Sequence, residues 1–342
     1  MPHNVEETAL GFVRTVLGPV PAHELGVVLI HESLLSIVPG AEFAPEIHMD
    51  KSEIFEILKR KLVDFRRHGG KTIVDRSGMF HGRDIKLYET LSRTTGVHIV
   101  ASTGLGPEPM LSGYFTTPQT YPPTPWPAQK FAGLFAKEVT EGIVVPRVER
   151  SSSAGLVSSM ASQSGITEKE ISLFRGAAQA ARDTGVPVSV QYGADAVGDL
   201  NILIEETLEP ERIIIGGLDR LDAVERRAAF DVAGRGAYVA IDHVGWTTSE
   251  GYVNDEDRAK FVAELVAAGF GKRLLISSNA VGIAKGHAAK ELGFDYLLSR
   301  FVPMLRQAGL TDEQVRMLTE ENPQRVLTVV AGKKPAAAAG QN

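Results

Sequence analysis

GVVLIHESLL, residues 26–35, is where the fold is decided. Its first half is a run of β-branched and apolar residues that reads as a buried strand, and HESLL after it contains no glycine. An open doubly wound sheet that binds a dinucleotide turns from its first strand into a glycine-rich loop over the pyrophosphate. That loop is missing here. Seven more runs of the same kind follow, at residues 71–75 (KTIVD), 97–102 (VHIVAS), 154–159 (AGLVSS), 186–191 (VPVSVQ), 212–216 (RIIIG), 237–242 (AYVAID) and 273–278 (RLLISS). Longer helical stretches separate them, among them 51–67, 167–184, 255–268 and 296–308. Thr167 with Glu170 has the spacing of a capping box, and Asp312 and Glu313 bring negative charge to the start of a short helix. Eight strand–helix units predict an α/β fold, a closed (β/α)8 TIM barrel in one domain over residues 1–330. Residues 331–342, AGKKPAAAAGQN, are low in complexity and read as a disordered tail.

Composition narrows the function. The 342 residues include no cysteine, which excludes disulfides, thiolate catalysis and zinc sites built on sulfur. The 36 basic and 42 acidic residues are spread evenly with no basic stripe, so nucleic acid is not an expected partner. No window approaches a membrane span, and residues 1–19 lack the basic and apolar regions of a secretory signal. The chain reads as cytoplasmic. One connection stands apart: residues 103–127 carry seven prolines, no periodicity, and Met110, Tyr114, Phe115, Tyr121 and Trp126. Following the third strand, it emerges at the C-terminal face where barrel enzymes keep their sites, and it reads as a lid.

Six segments in order resemble the phosphotriesterase-related branch of the amidohydrolase superfamily: residues 13–31, 70–84 (GKTIVDRSGMFHGRD), 184–190 (TGVPVSV), 212–220 (RIIIGGLDR), 273–279 (RLLISSN) and 299–327. The resemblance spans about residues 12–328 and implies a barrel hydrolase, with a homodimer as its assembly. It also implies a two-metal centre from an HxH pair on strand 1, a bridging Lys or Glu on strand 4, a His after each of strands 5 and 6, and an Asp after strand 8. Two divalent cations held close together need that anionic and imidazole set to acidify a bound water. Carried over by position, the places hold His31, Ser33, Ser159, Gln191, Gly217 and Asn279, one surviving ligand. A register slip does not restore the set, because residues 151–167 contain no ionisable side chain and residues 274–284 contain no carboxylate. The expectation is no metal and no cofactor.

What remains at the mouth is a ring of neutral hydrogen-bonding groups, suited to orienting a polar ligand or stabilising an oxyanion. The leading reading is a metal-independent enzyme acting on a small organic molecule: hydrolysis of a lactone, ester or amide, or acid–base lyase, cyclase or isomerase chemistry. In it His31 carries the proton, and Gln191 and Asn279 orient or stabilise charge. Ser33, Ser159, Tyr192, Arg76, Tyr114, Trp126, Asp242 and Trp246 are the expected substrate contacts, with His81 and Tyr252 also on mouth loops. Asp75, Asp219 and Arg220 are read as structural, and Glu32 as pointing away from the lumen. Asp242 and His243 are adjacent, so a regular strand keeps them from facing inward together. The second reading is a pseudoenzyme that binds a small ligand and turns nothing over. The third is a metal-dependent hydrolase with unusual ligands.

Overall fold

The computed structural model describes residues 11–110, 116–117, 121, 124–145, 149–290 and 292–333. Among the described residues, nine strands form one parallel sheet. In chain order they are β1 (Val27–Ile37), β2 (Gly70–Asp75), β3 (His98–Thr103), β4 (Leu156–Met160), β5 (Val188–Gln191), β6 (Ile213–Gly216), β7 (Tyr238–Ile241), β8 (Leu274–Ile276) and β9 (Val281–Lys285). Each pairs with its sequence neighbour from β1 to β8, and β9 pairs with β1. β8 and β9 are pieces of one strand interrupted at residues 277–280, so the sheet closes on itself as a (β/α)8 barrel.

Helices α1 (Lys51–Arg67), α2 (Ile85–Thr95), α3 (Ala128–Thr140), α4 (Glu168–Thr184) and α5 (Ala196–Glu205) follow β1 to β5 on the outside. α1 repeats apolar side chains at Ile54, Leu58, Leu62 and Phe65, a stripe at helical spacing, and buries all four. Asp50 caps its first turn by accepting from the Ser52 and Glu53 amides. The capping box at Thr167 and Glu170 forms reciprocally, with Thr167 Oγ1 accepting from Glu170 N at 3.2 Å.

Inside the barrel, Val28, Ile30, Val74, Val100, Leu156, Ile214, Tyr238, Ala240 and Leu275 form one apolar cluster. Val13, Leu25, Val326 and Leu327 close it at the N-terminal end of the strands. The polar ring therefore belongs to the opposite end.

The first strand runs six residues past the expected His31, because LLSI continues the apolar alternation and finds β9 as a partner. The tail is docked further than expected: Val330 N donates to Gly185 O and Lys333 N to Arg182 O, while residues 334–342 lie outside the described residues. Among the described residues, no helix is long and apolar enough to cross a membrane.

Candidate functional site at the barrel mouth

β1 does not keep a regular pleat. Its register against β2 steps from Leu29↔Ile73 to Glu32↔Asp75, three residues against two. This bulge lets the His31 ring turn inward although Ile30 before it also packs in the lumen. His31 Nδ1 lies 2.8 Å from Asp242 Oδ2, and Nε2 lies 2.7 Å from Ser189 Oγ. All three side chains are fully buried. Burial, helped by the nearby charge of Arg76, pulls the imidazole below its ordinary value against the attraction of Asp242. The Asp242 carboxylate only accepts, so Nδ1 carries a hydrogen, and the downward shift favours the neutral ring, in which Nε2 accepts from the Ser189 hydroxyl. The expectation that His31 stands open at the mouth as a proton carrier is corrected. Both ring nitrogens are occupied, and the side chain faces no solvent.

β7 ends at Ile241, so the alternation expected to separate Asp242 from His243 no longer applies beyond it. His243 Nδ1 approaches Asp242 Oδ1 at 3.2 Å and Asp219 Oδ1 at 2.8 Å. Gly217 N donates to Asp242 Oδ1 at 2.8 Å, and Arg258 Nε donates to Asp219 Oδ2 at 2.7 Å. Arg258 also pairs with Asp255 and donates to Val253 O at 2.7 Å. Burial opposes the charge on His243, but the carboxylates of Asp219 and Asp242 outweigh it and push His243 up to about 9. Burial likewise opposes ionisation of Asp219 and Asp242, and the His243 charge overcomes it, holding both below the usual range.

The network has a predictable pH signature. The raised histidine adds stability in full below its unfolded value of ~6.5, and that stability is lost as pH rises through about 9. The depressed carboxylates act above ~3.9 and lose their contribution as pH falls through their folded values. The urea-unfolding difference between the wild type and His243→Asn is expected to shrink from pH 6.5 to 9. A difference that stays flat over that window would refute the assignment.

Above this buried floor lies Arg76, the residue after β2. Its guanidinium reaches across the mouth, with Nη1 donating to Gln191 Oε1 at 3.0 Å and Nη2 to Asn279 Oδ1 at 3.4 Å. The side chain is half-buried and lines a cleft of about 200 Å³. Ser33, Ser36, Ser77, His81 and Asn279 supply the polar lining, and Leu105, Pro107, Met110, Met160 and Val281 the apolar wall. Asn279 holds a left-handed φ of 46°. Trp246 donates to Ser278 O at 2.9 Å and Glu32 accepts from the Ser278 and Ala280 amides, so both sides of the residue are fixed. Burial pushes Glu32 up to about 7, opposed by those hydrogen bonds.

The expected site residues separate into groups. Ser33, Ser159, Arg76 and Asn279 meet at the cleft, and Gln191 joins them through Arg76. Ser159 is in register with Val190, whereas Ser158 is in register with Ser189, so the lumen face of β4 is carried by Ser158 and Met160. The Ser159 Oγ is buried without a hydrogen-bond partner.

Four expectations are corrected in place. Asp242 is fully buried in the floor. Trp246 packs on His243 and Tyr252 with ring centroids at 5.0 and 5.2 Å and does not line the cleft. Tyr192 is buried under the Arg220 guanidinium, 3.3 Å from Asp222, at a separate small pocket. Trp126 donates to Thr116 O, packs on Phe131 and lines a separate pocket with Glu168 and Ser172, next to the paired short strands 116–117 and 124–125. Tyr114 lies outside the described residues. The wall of the cleft comes instead from the first part of that long connection, Gly104 to Met110. A Cβ on Gly104, at a φ of +116°, would meet Ser158 O at 1.8 Å, so only glycine lets this wall approach β4.

The donors at the mouth do not fit two metal ions. His31 is engaged on both nitrogens, and the carbonyl oxygens of Gln191 and Asn279 are held by a cation already. Gly217, where strand 6 would supply an imidazole, offers no side-chain ligand, and the Gln191 amide packs against its Cα. Among the described residues, Asp219, Asp242 and His243 do bring three ligand atoms within 4.8 Å of one another. These atoms already neutralise one another with Arg258, and none lines the cleft.

Residues 11–327 match the Phosphotriesterase family, and the chain belongs to it. It is 25% identical over 301 residues to the Phosphotriesterase homology protein of Escherichia coli, covering 87% of this chain and 96% of that protein. Against the Aryldialkylphosphatase of Saccharolobus solfataricus it is 25% identical over 321 residues, 90% of this chain and 96% of the relative. A mutant of a PTE-like lactonase from Deinococcus radiodurans superposes with a TM-score of 0.79 at 24% identity, covering 92% of this chain and 99% of that one.

Proposed function

We propose that this protein hydrolyses a small carboxylic ester or lactone in the mouth cleft without a two-metal centre. Arg76 supplies the positive charge that metals would otherwise bring to the reacting carbonyl oxygen. One observation carries the reading. Gln191 and Asn279, in the places of a strand-5 imidazole and a strand-8 carboxylate, both bind the Arg76 guanidinium, which faces the cleft. Both partners are neutral amides, so the hydrogen bonds fix the guanidinium without cancelling its charge. A fixed cation beside developing negative charge in a half-enclosed site stabilises a tetrahedral oxyanion. The volume of about 200 Å³ lies below the ~300–1,000 Å³ of drug-sized pockets, which favours a substrate of few atoms. The lactonase among the superposed structures supports the substrate class.

His31, Ser189 and Asp242 hold the floor under Arg76 and take no part in proton exchange with the substrate. A panel of small lactones and aryl esters, assayed throughout in a strong chelator, is expected to show turnover equal to that without chelator. Turnover that disappears with chelator and returns with zinc would overturn the proposal.

A ligand-binding protein without turnover is the second reading, favoured by one observation. Among the described residues, no Asp or Glu lines the cleft. It predicts saturable binding of the same compounds with no product.

A further inference from the structure

The cleft's outer wall carries a serine already bonded to an imidazole. Ser36 lies on the part of β1 that extends past the barrel, fixed by its pairing with Ala284 on β9. It is half-buried and lines the cleft. Its Oγ is 2.9 Å from His287 Nε2, and His287 Nδ1 is 3.0 Å from Ala288 O. A carbonyl oxygen only accepts, so Nδ1 carries the hydrogen, and in the neutral ring Nε2 presents a lone pair to the Ser36 hydroxyl. That is the tautomer a general base for serine requires. Ser189, His31 and Asp242 repeat the pattern with a third member, but they are fully buried in the floor and do not line the cleft. His81 also lines the cleft, its Nε2 donating to Gly106 O at 3.0 Å, and among the described residues no hydroxyl is bonded to its other nitrogen.

We propose that Ser36 is a nucleophile and His287 its base, an assignment that rests on the hydrolase reading above and names the covalent step within it. Ser36 Oγ attacks the carbonyl carbon as its proton passes to His287 Nε2. The carbon–oxygen bond to the leaving group breaks, and the same proton goes to that oxygen. An acyl ester on Ser36 results; in a lactone the freed hydroxyl stays tethered to the acyl chain. Water then attacks the acyl carbon and gives a proton to Nε2, and the Ser36–acyl bond breaks with return of that proton to Oγ. Ester and water become acid and alcohol, and the enzyme is regenerated. The oxyanion of each tetrahedral intermediate forms in the cleft that Arg76 lines.

The test treats the full-length protein with ethyl 4-nitrophenyl methylphosphonate and maps the adduct by mass spectrometry. The adduct is expected on Ser36, absent in Ser36→Ala, and formed ~10²–10⁴-fold more slowly in His287→Gln. No adduct on Ser36, or labelling equally fast in His287→Gln, would overturn the assignment. Direct attack by water with His81 as base would leave no adduct. Failure of this step and of the hydrolase reading are separable. Turnover kept by Ser36→Ala but lost by an Arg76 variant rejects the nucleophile alone. Labelling of Ser36 without turnover of any lactone or ester rejects the hydrolase and keeps the dyad.

Discussion

Arg76→Met is expected to lower kcat/KM for a small lactone or ester by ~10²–10³-fold, the loss seen when one preorganised oxyanion donor is removed. The reason lies in what surrounds the guanidinium. Arg258 and Arg83 are each paired with buried carboxylates, so their charge is spent on structure. Arg76 donates instead to Gln191 and Asn279, which position it and leave its field directed into the cleft. Methionine keeps most of the volume and removes only the charge and the donors. Arg76→Lys restores charge without the fork that spans both amides, and its rate should fall between the two. The decisive control is Asn279→Asp. It puts back an acid that a metal centre would welcome, but it neutralises Arg76, so activity should drop rather than become zinc-dependent. A wild-type rate in Arg76→Met would remove this residue from the chemistry.

The largest stability effect is expected at Arg258. The side chain is fully buried and binds Asp219, Asp255 and Val253 O together. Arg258→Met leaves buried carboxylates without their cation, a change that costs ~3–5 kcal/mol. Urea unfolding at neutral pH measures it, and a cost below ~1 kcal/mol, the range of an exposed pair, would show that the network carries no such energy. The effect should reach the mouth. Asp219 orients His243, His243 meets Asp242, and Asp242 fixes His31 beneath the gap that Arg76 spans.

The barrel was legible because its signal is local. Each strand is a short apolar run, and GVVLIH, KTIVD and RIIIG fall where β1, β2 and β6 form. The ends of β2 and β5 were equally readable, which is why Arg76 and Gln191 were found, whereas β1 runs on past Ser33 to Ile37. β9 was missed because VGIAK is short and acquires its partner only when β1 overruns the barrel. The fate of His31 depended on Ser189 and Asp242, 158 and 211 residues away, and on a bulge that no spacing announces. Asp242 and His243 were separated by a rule for regular strands that ceases at Ile241. Trp126 looked like a lid residue because prolines and aromatics mark a loop without saying which way it folds. Ser36 carried no signal at all, since a serine in an apolar run becomes notable only when His287 is brought beside it.

The most direct test is a zinc titration of protein purified without added metal, followed by calorimetry and elemental analysis. A mouth in which Arg76 stands in for the metals predicts no tight site there and an ion content well below one per chain. Two tightly bound ions per chain, with Gln191 and Asn279 released from Arg76 in the metal-loaded crystal, would contradict it.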